Sequence, residues 1–237
     1  FENRKMSYYE HCRYRNFEGV VIVCANFDDP DVIELMNSEI PVVTIDYVHH
    51  NCTAVTSNNI QGMEDLVKYI YSQGHRKIAY IHGQEGSSVT RDRLASFYRT
   101  IDELGLEIPD TYVRSADYLE TKGSAKQTKE LLNLEDPPTC IIYPDDTSLI
   151  GGRNVIIEMG LRIPRDISVA GYDGTMISQL LYPKLTTIRQ NTEMIGSEAA
   201  TRLIGTIEKP RTTLVERVVI EGSLVPGQSV GAIQPKG

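Results

Sequence analysis

Side chains able to hydrogen-bond a polar ligand recur in this sequence directly behind short apolar runs. Asp145 and Asp146 follow CIIY and Pro144, Asp173 follows ISVAGY, and Gln190 follows LTTIR. Tyr118 comes just after the apolar run 113–116, and Arg93 lies near the start of a helical pattern behind KIAYIHG. A carboxylate accepts two hydroxyl hydrogen bonds, a guanidinium fork donates to two neighbouring oxygens, and an aromatic face covers the C–H side of a sugar ring. The set suits the binding of a small polyhydroxylated molecule better than it suits a reaction. Each residue also has a plainer use. An Asp behind a strand can cap the next helix, and Asp146 ahead of 147–158 is open to that reading. Arg93 can pair with Asp92, and Tyr118 can simply fill core.

Catalytic patterns are missing from the same sequence: there is no GxSxG elbow, no GxxxxGK[ST] phosphate loop and no HExxH. Asp145 and Asp146 could be imagined as a glycosidase pair, but nothing else supports that chemistry. His49 and His50 are adjacent, and neighbours on an extended segment point to opposite sides, so no metal site is expected there. No cofactor is implied, and the chain is not expected to be an enzyme.

Apolar runs bounded by turn residues alternate with helix-period segments, the pattern of a parallel sheet covered on both faces. Strands are expected at 20–24, 42–45, 77–82, 139–143, 167–171 and 186–189, with a further run at 113–116. Ile60, Met63, Val67 and Ile70 mark one helix, Leu94, Phe97, Ile101 and Leu104 another, with Gly74 and Gly105 as C-terminal caps. A helix at 192–208 and short strands at 214–220 and 223–225 break the rhythm, as a chain would that returns to a first sheet and then passes to a second. In open parallel sheets ligands bind beyond the carboxyl ends of the strands, where the polar residues above fall.

With 237 residues, 41% hydrophobic and 24% charged, the chain has the composition of a soluble globular protein. Its net charge of -8 argues against a nucleic-acid face within these residues, and no apolar run is long enough for a membrane helix. Cys12, Cys24, Cys52 and Cys140 are scattered and form no CxxC, which fits reduced thiols. The opening FENRKMSYYE is neither an initiator methionine nor a signal peptide, so the chain is expected to start inside a longer protein.

The segments SQGHRKIAYIHG, RDRLASFYRTIDELGL, PPTCIIYPDD and especially EMGLRIPRDISVAGYDGTMISQLLYPKLTTIRQNTEMIGSEAATRLI resemble the lactose/galactose-repressor (LacI/GalR) family, in order and over nearly the whole chain. The resemblance implies an α/β periplasmic-binding-protein-like (type I) fold of two doubly wound parallel-sheet lobes joined by a multi-crossing hinge. Residues 1–57 with 191–220 would form an incomplete N-terminal lobe, and 58–190 with 221–237 the C-terminal lobe. By motif, Arg93, Asp145, Asp173 and Gln190 correspond to effector contacts in a cleft. Asp46 in VVTID and Tyr118 would also line that cleft, with Ser57 and Asn191 at crossings of the hinge. Truncating Arg93 or Asp173 is then expected to abolish binding at little cost in stability.

The implied function is a cytoplasmic ligand-sensing and dimerising domain of a transcription regulator, binding a sugar-like effector and acting on operator DNA through a headpiece that these residues do not include. An exported sugar-binding protein serving a transporter is the alternative on the same fold. Departures from the family pattern include Pro144-Asp145-Asp146 where Asn-Asp is common, Ser96 in place of Gly, and Gly174 where Asp is frequent. Pentose, hexose, phosphorylated sugar and nucleoside all stay open as effectors, the acidic set Asp46, Asp145 and Asp173 weighing against phosphate.

Overall fold

A computed structural model describes residues 6–233; residues 1–5 and 234–237, assigned above to the outer ends of the two lobes, lie outside the described residues. The chain folds into two compact units, 1–58 with 191–220 and 59–190 with 221–237, and passes from one to the other three times. The first leg carries α1 (Tyr8–Arg15), β1 (Val20–Ile22), α2 (Pro30–Met36), β2 (Val42–Ile45) and β3 (Thr53–Ser57). The second runs through α3 (Asn59–Ser72), β4 (Ile78–His82), α4 (Ser88–Glu103), β5 (Val113–Ser115), α5 (Thr121–Leu132), β6 (Cys140–Ile142), α6 (Asp146–Glu158), β7 (Ser168–Ala170), α7 (Met176–Leu180) and β8 (Thr187–Arg189). The chain returns to the first unit for α8 (Thr192–Glu208) and β9 (Arg217–Ile220), and to the second for β10 (Ser223–Val225).

In the first unit the described strands form a parallel sheet in the order β1-β2-β3-β9. Alternation along β2 divides the core: Val42 joins Cys12, Ile22, Val32, Leu35 and Cys52 on the α1 and α2 side, and Val43 joins Val55, Ile195 and Ala199 on the α8 side. Strand β3 was not among the expected strands. Its sequence TAVTS is short and polar by composition, yet all five residues are buried because it lies between β2 and β9. Helix α1 is fixed by a capping box between Ser7 and Glu10, and Asp29 with Pro30 starts α2.

In the second unit β5-β4-β6-β7 run parallel, and β8 pairs antiparallel with β10. Single bridges, Ala170 with Thr186 and Asp173 with Arg189, carry the line of β7 on to β8. Residues of β4 again alternate, Ile78 and Tyr80 packing with Met63, Val67, Ile70, Phe97 and Ile101, and Ala79 and Ile81 with Leu131, Leu149, Ile156 and Val169. Ile60, read as part of the apolar stripe of α3, is exposed instead. Gly74 and Gly105 both have positive φ, as expected of residues that end helices.

All four cysteines are free; Cys12, Cys52 and Cys140 are buried and Cys24 is exposed. The segment at His49 and His50 is a turn and not extended, so the two rings lie together with centroids 4.3 Å apart, contrary to the expected opposite orientation.

Candidate functional site

The carboxyl ends of β4, β5, β6, β7 and β8 deliver His82, Tyr118, Pro144, Asp173 and Gln190 in turn. Helix α4 brings Arg93 to the same end of this sheet. Its guanidinium is buried, which is tolerable only with full hydrogen bonding. Nε donates to Asn59 Oδ1 at 2.8 Å, Nη1 donates to the Pro144 carbonyl at 2.9 Å, and Nη2 lies 3.5 Å from Asp173 Oδ1. The guanidinium carbon is 3.4 Å from the centre of the Tyr172 ring and 6.0 Å from that of Tyr118. Burial works against the charge, and the surrounding Tyr172, Tyr118 and Asp173 outweigh it, so the net shift of its pKa is upward.

Asp173 is held in the left-handed region (φ 91°), followed by Gly174 at φ 66°. A Cβ at Gly174 would come within 2.4 Å of the Arg189 backbone, which explains why glycine stands where the family often has Asp. Gln190 donates to Asp173 Oδ1 at 2.5 Å, and its own N–H reaches the Asp173 carbonyl at 3.2 Å. Burial raises the carboxyl pKa of Asp173, with Arg93 and the Gln190 bond opposing the shift. Its side chain keeps 27% exposure beside an Arg93 side chain at 3%. The carboxylate is therefore the part of this pair that a solute can reach.

Tyr118 lies with its ring on Gly83, where any Cβ would come within 2.1 Å of the ring, and shares a 2.9 Å hydrogen bond with Thr90. The next residue, Leu119, has φ 58°, and its N–H donates to Asp145 Oδ2 at 2.9 Å. Asp145 itself caps α6: Oδ1 accepts from the Ser148 N–H at 2.7 Å, and Oδ2 also accepts from the Ser148 hydroxyl. The cap expected of Asp146 thus falls one residue earlier. Asp145 is fully buried and turned to the scaffold, where it ties the Tyr118 loop to α6.

Asp146 is equally buried and stitches the next loop. Oδ2 accepts from the Thr175 N–H and hydroxyl at 2.7 and 3.0 Å, and Oδ1 accepts from the Thr187 hydroxyl at 2.8 Å. Burial pushes its carboxyl pKa up to about 6, the threonine bonds opposing the rise.

The structure therefore brings Arg93, Asp173, Gln190 and Tyr118 into one constellation, with Asp145 beneath it. The pairing of Arg93 is with Asp173, while Asp92 lies by Arg91. Asp46 and Ser57 belong to the first unit and bond each other, the Ser57 N–H donating to Asp46 Oδ1 at 2.9 Å. Asn191 caps α8 by accepting from the Met194 N–H. Sequence reading passed over Asn59, Thr90 and Tyr172. The apolar context of Tyr172 in VAGYD concealed that its ring is the seat of the guanidinium, and Asn59 looked like an ordinary helix start.

Among the described residues no group of three or more His, Cys, Asp or Glu side chains is arranged to hold a metal ion, and no helix is long and apolar enough to cross a membrane.

The family model for the periplasmic binding protein-like domain matches residues 67–230. A probable HTH-type transcriptional repressor, ExuR, from Bacillus subtilis (strain 168) is 28% identical over 207 residues, which cover 86% of this chain and 62% of that protein. The chain thus spans about three fifths of the length of this curated relative. The crystal structure of a putative transcriptional regulator LacI from Bacillus cereus subsp. cytotoxis NVH 391-98 superposes with a TM-score of 0.87 at 25% identity, over 95% of this chain and 80% of that one. A transcriptional regulator CelR–cellobiose complex gives 0.82 at 25% identity, over 94% and 71%.

Proposed function

The chain belongs to the periplasmic binding protein-like domain family, and on that premise we propose that it is the ligand-sensing part of a LacI-type transcriptional regulator. The likeness to LacI-type repressors read in the sequence is the one the comparisons return, and the relatives are transcriptional repressors and not enzymes. They favour the regulator over an exported transport protein, since these relatives are repressors and regulators by name.

One observation carries the reading: the guanidinium carbon of the buried Arg93 sits 3.4 Å from the centre of the Tyr172 ring with Nη2 toward the more accessible Asp173, which in turn accepts a hydrogen bond from Gln190. This sets a donor and an acceptor side by side near the half-buried Tyr118 ring, the arrangement that a sugar's vicinal hydroxyls and C–H face require. The cellobiose bound by a regulator of the same fold supports that ligand class. Asp145 enters as the anchor of the Tyr118 loop, and Asp46 with Ser57 as the corresponding strand-end pair of the first unit.

The regulator acts in the cytoplasm on operator DNA, through a headpiece that lies outside residues 1–237, and as a homodimer. Met176, Leu180 and Tyr182 are 79%, 74% and 81% exposed along one short stretch, an apolar surface of the kind that a second subunit covers. Titration calorimetry against D-ribose, D-glucose, D-galactose and cellobiose tests the sensor. At least one should bind, and Gln190→Ala should weaken it about tenfold, the worth of one good hydrogen bond, while the loss of its bond to Asp173 lowers the melting temperature by only roughly 2–4 °C. Binding by none of the four, or an unchanged affinity in Gln190→Ala, overturns the reading.

A further inference from the structure

Asp173, the accessible partner of the Arg93 pair, has φ 91°, a left-handed conformation that an aspartate keeps only where its surroundings enforce it. The residues on either side of it converge on Asp146, the first residue of α6. The Asp146 N–H donates to the Tyr172 carbonyl at 2.9 Å. Its Oδ2 accepts from the Thr175 N–H and hydroxyl at 2.7 and 3.0 Å. Its Oδ1 accepts from the Thr187 hydroxyl at 2.8 Å, and the oxygen of that hydroxyl accepts from the Gly174 N–H at 3.2 Å. Tyr172, Gly174 and Thr175 are thus all tied to one residue, directly or through a single hydroxyl. Gly171 makes the room, since a Cβ there would collide with Asp146 Oδ1.

We propose that Asp146 is a positioning residue of the ligand site, holding the turn 172–175 so that the Asp173 carboxylate is presented to the ligand beside Arg93. The inference rests on the sugar-binding reading above and adds to it the residue that sets the binding geometry. Asp146 is fully buried and acts through Thr175, Thr187 and Gly174, not by contact with the ligand. Its place at a helix start does not account for these bonds, because Asp145 already caps α6. Its chemistry does. Three donors converge on it, and a carboxylate, which only accepts, satisfies them all, whereas a carboxamide has one accepting oxygen. Arg93 and Gln190 hold the Asp173 side chain from within the site itself, so the turn needs a support from behind.

Two variants of unchanged shape test the link. Asp146→Asn removes one accepting oxygen, and Thr187→Val removes the hydroxyl that joins Asp146 to Gly174. Calorimetry below the melting temperature of each, with the tightest binder among D-ribose, D-glucose, D-galactose and cellobiose, should show about tenfold weaker binding, the worth of one hydrogen bond to a charged group. Because both act on one turn, the double variant should bind about as weakly as the weaker single one, whereas independent effects would multiply to about a hundredfold. Amide hydrogen exchange gives a reading without ligand. The Gly174 N–H should exchange about tenfold faster in Asp146→Asn, although its own acceptor is Thr187.

Unchanged affinity in either variant, whatever its melting temperature, makes Asp146 merely structural and overturns the proposal, as does a double variant weakened about a hundredfold. If Gln190→Ala weakens binding while Asp146→Asn and Thr187→Val do not, the site stands and the positioning role falls. Should no sugar of the panel bind the wild type, the sugar reading falls, and exchange alone judges the hold on the turn: an unaltered Gly174 amide in Asp146→Asn refutes it. If Asp146→Asn does not fold, Thr187→Val carries the test, and wild-type affinity there sinks the idea.

Discussion

Arg93 shows how a charge can be both functional and structural. Buried against Tyr172 and tied to Asn59 and Pro144, it is part of the scaffold that it serves. The expectation that its truncation would leave stability untouched is therefore revised. Arg93→Ala removes the buried donor to Asn59 and to the Pro144 carbonyl and should cost about 3 kcal/mol in chemical denaturation, besides abolishing sugar binding; wild-type stability in that variant would show the buried network to be idle. Asp173 makes the ligand response pH-dependent. Its raised pKa means that sugar affinity should begin to fall, on acidification, at a higher pH than an exposed aspartate would dictate, which calorimetry at stepped pH can follow. Asp146 leads to a separate result, in stability. Its folded pKa of about 6 lies above the ordinary 3.8, so its favourable contribution is complete below the lower value and is lost as pH rises through the higher. The stability gap between wild type and Asp146→Ala should accordingly be widest near pH 4 and shrink by about 3 kcal/mol by pH 7. A gap that widened with pH would reverse the assignment.

At the scale of elements, glycines separate close packing from open helix surface. A Cβ on Gly151 of α6 would come within 1.9 Å of the Thr121 carbonyl at the start of α5, a backbone contact that cannot rotate away. Gly151→Ala should thus cost about 1–3 kcal/mol. Gly196 is exposed in α8 with nothing near its missing Cβ, and Gly196→Ala should stabilise by about 0.5–1 kcal/mol. Denaturant midpoints of the two variants should move in opposite directions. The same scale explains what could be read from sequence. Apolar strands such as CII and SVA were legible because burial on both faces requires continuous apolar residues, and α8 was legible over its full length. TAVTS was not, since β3 meets its neighbours through small and β-branched side chains that a hydropathy reading takes for a loop. The candidate constellation was legible where a polar residue comes soon after a strand, as with Asp173 and Gln190. It was not where direction matters: Asp145 and Asp146 are adjacent, yet one caps a helix and binds the Tyr118 loop while the other holds Thr175 and Thr187.

For the whole molecule, the exposed stretch at Met176, Leu180 and Tyr182 leads to a prediction of assembly. Sedimentation should find a dimer that Tyr182→Asp converts to monomer, with sugar affinity kept; a monomeric wild type would remove the homodimer from the proposal. The three passages of the chain between its units carry a consequence for biosynthesis. The strands β5-β4-β6-β7 of the second unit come from one uninterrupted stretch of chain, whereas the first unit takes α8 and β9 from beyond residue 190. On the ribosome the later unit can therefore build its main sheet while the earlier one still waits for a helix and an edge strand. A nascent chain arrested once Gln190 has emerged from the ribosome should protect residues 78–170 from protease and leave β1, β2 and β3 open to attack, so that of the two units the one begun first is the one finished last.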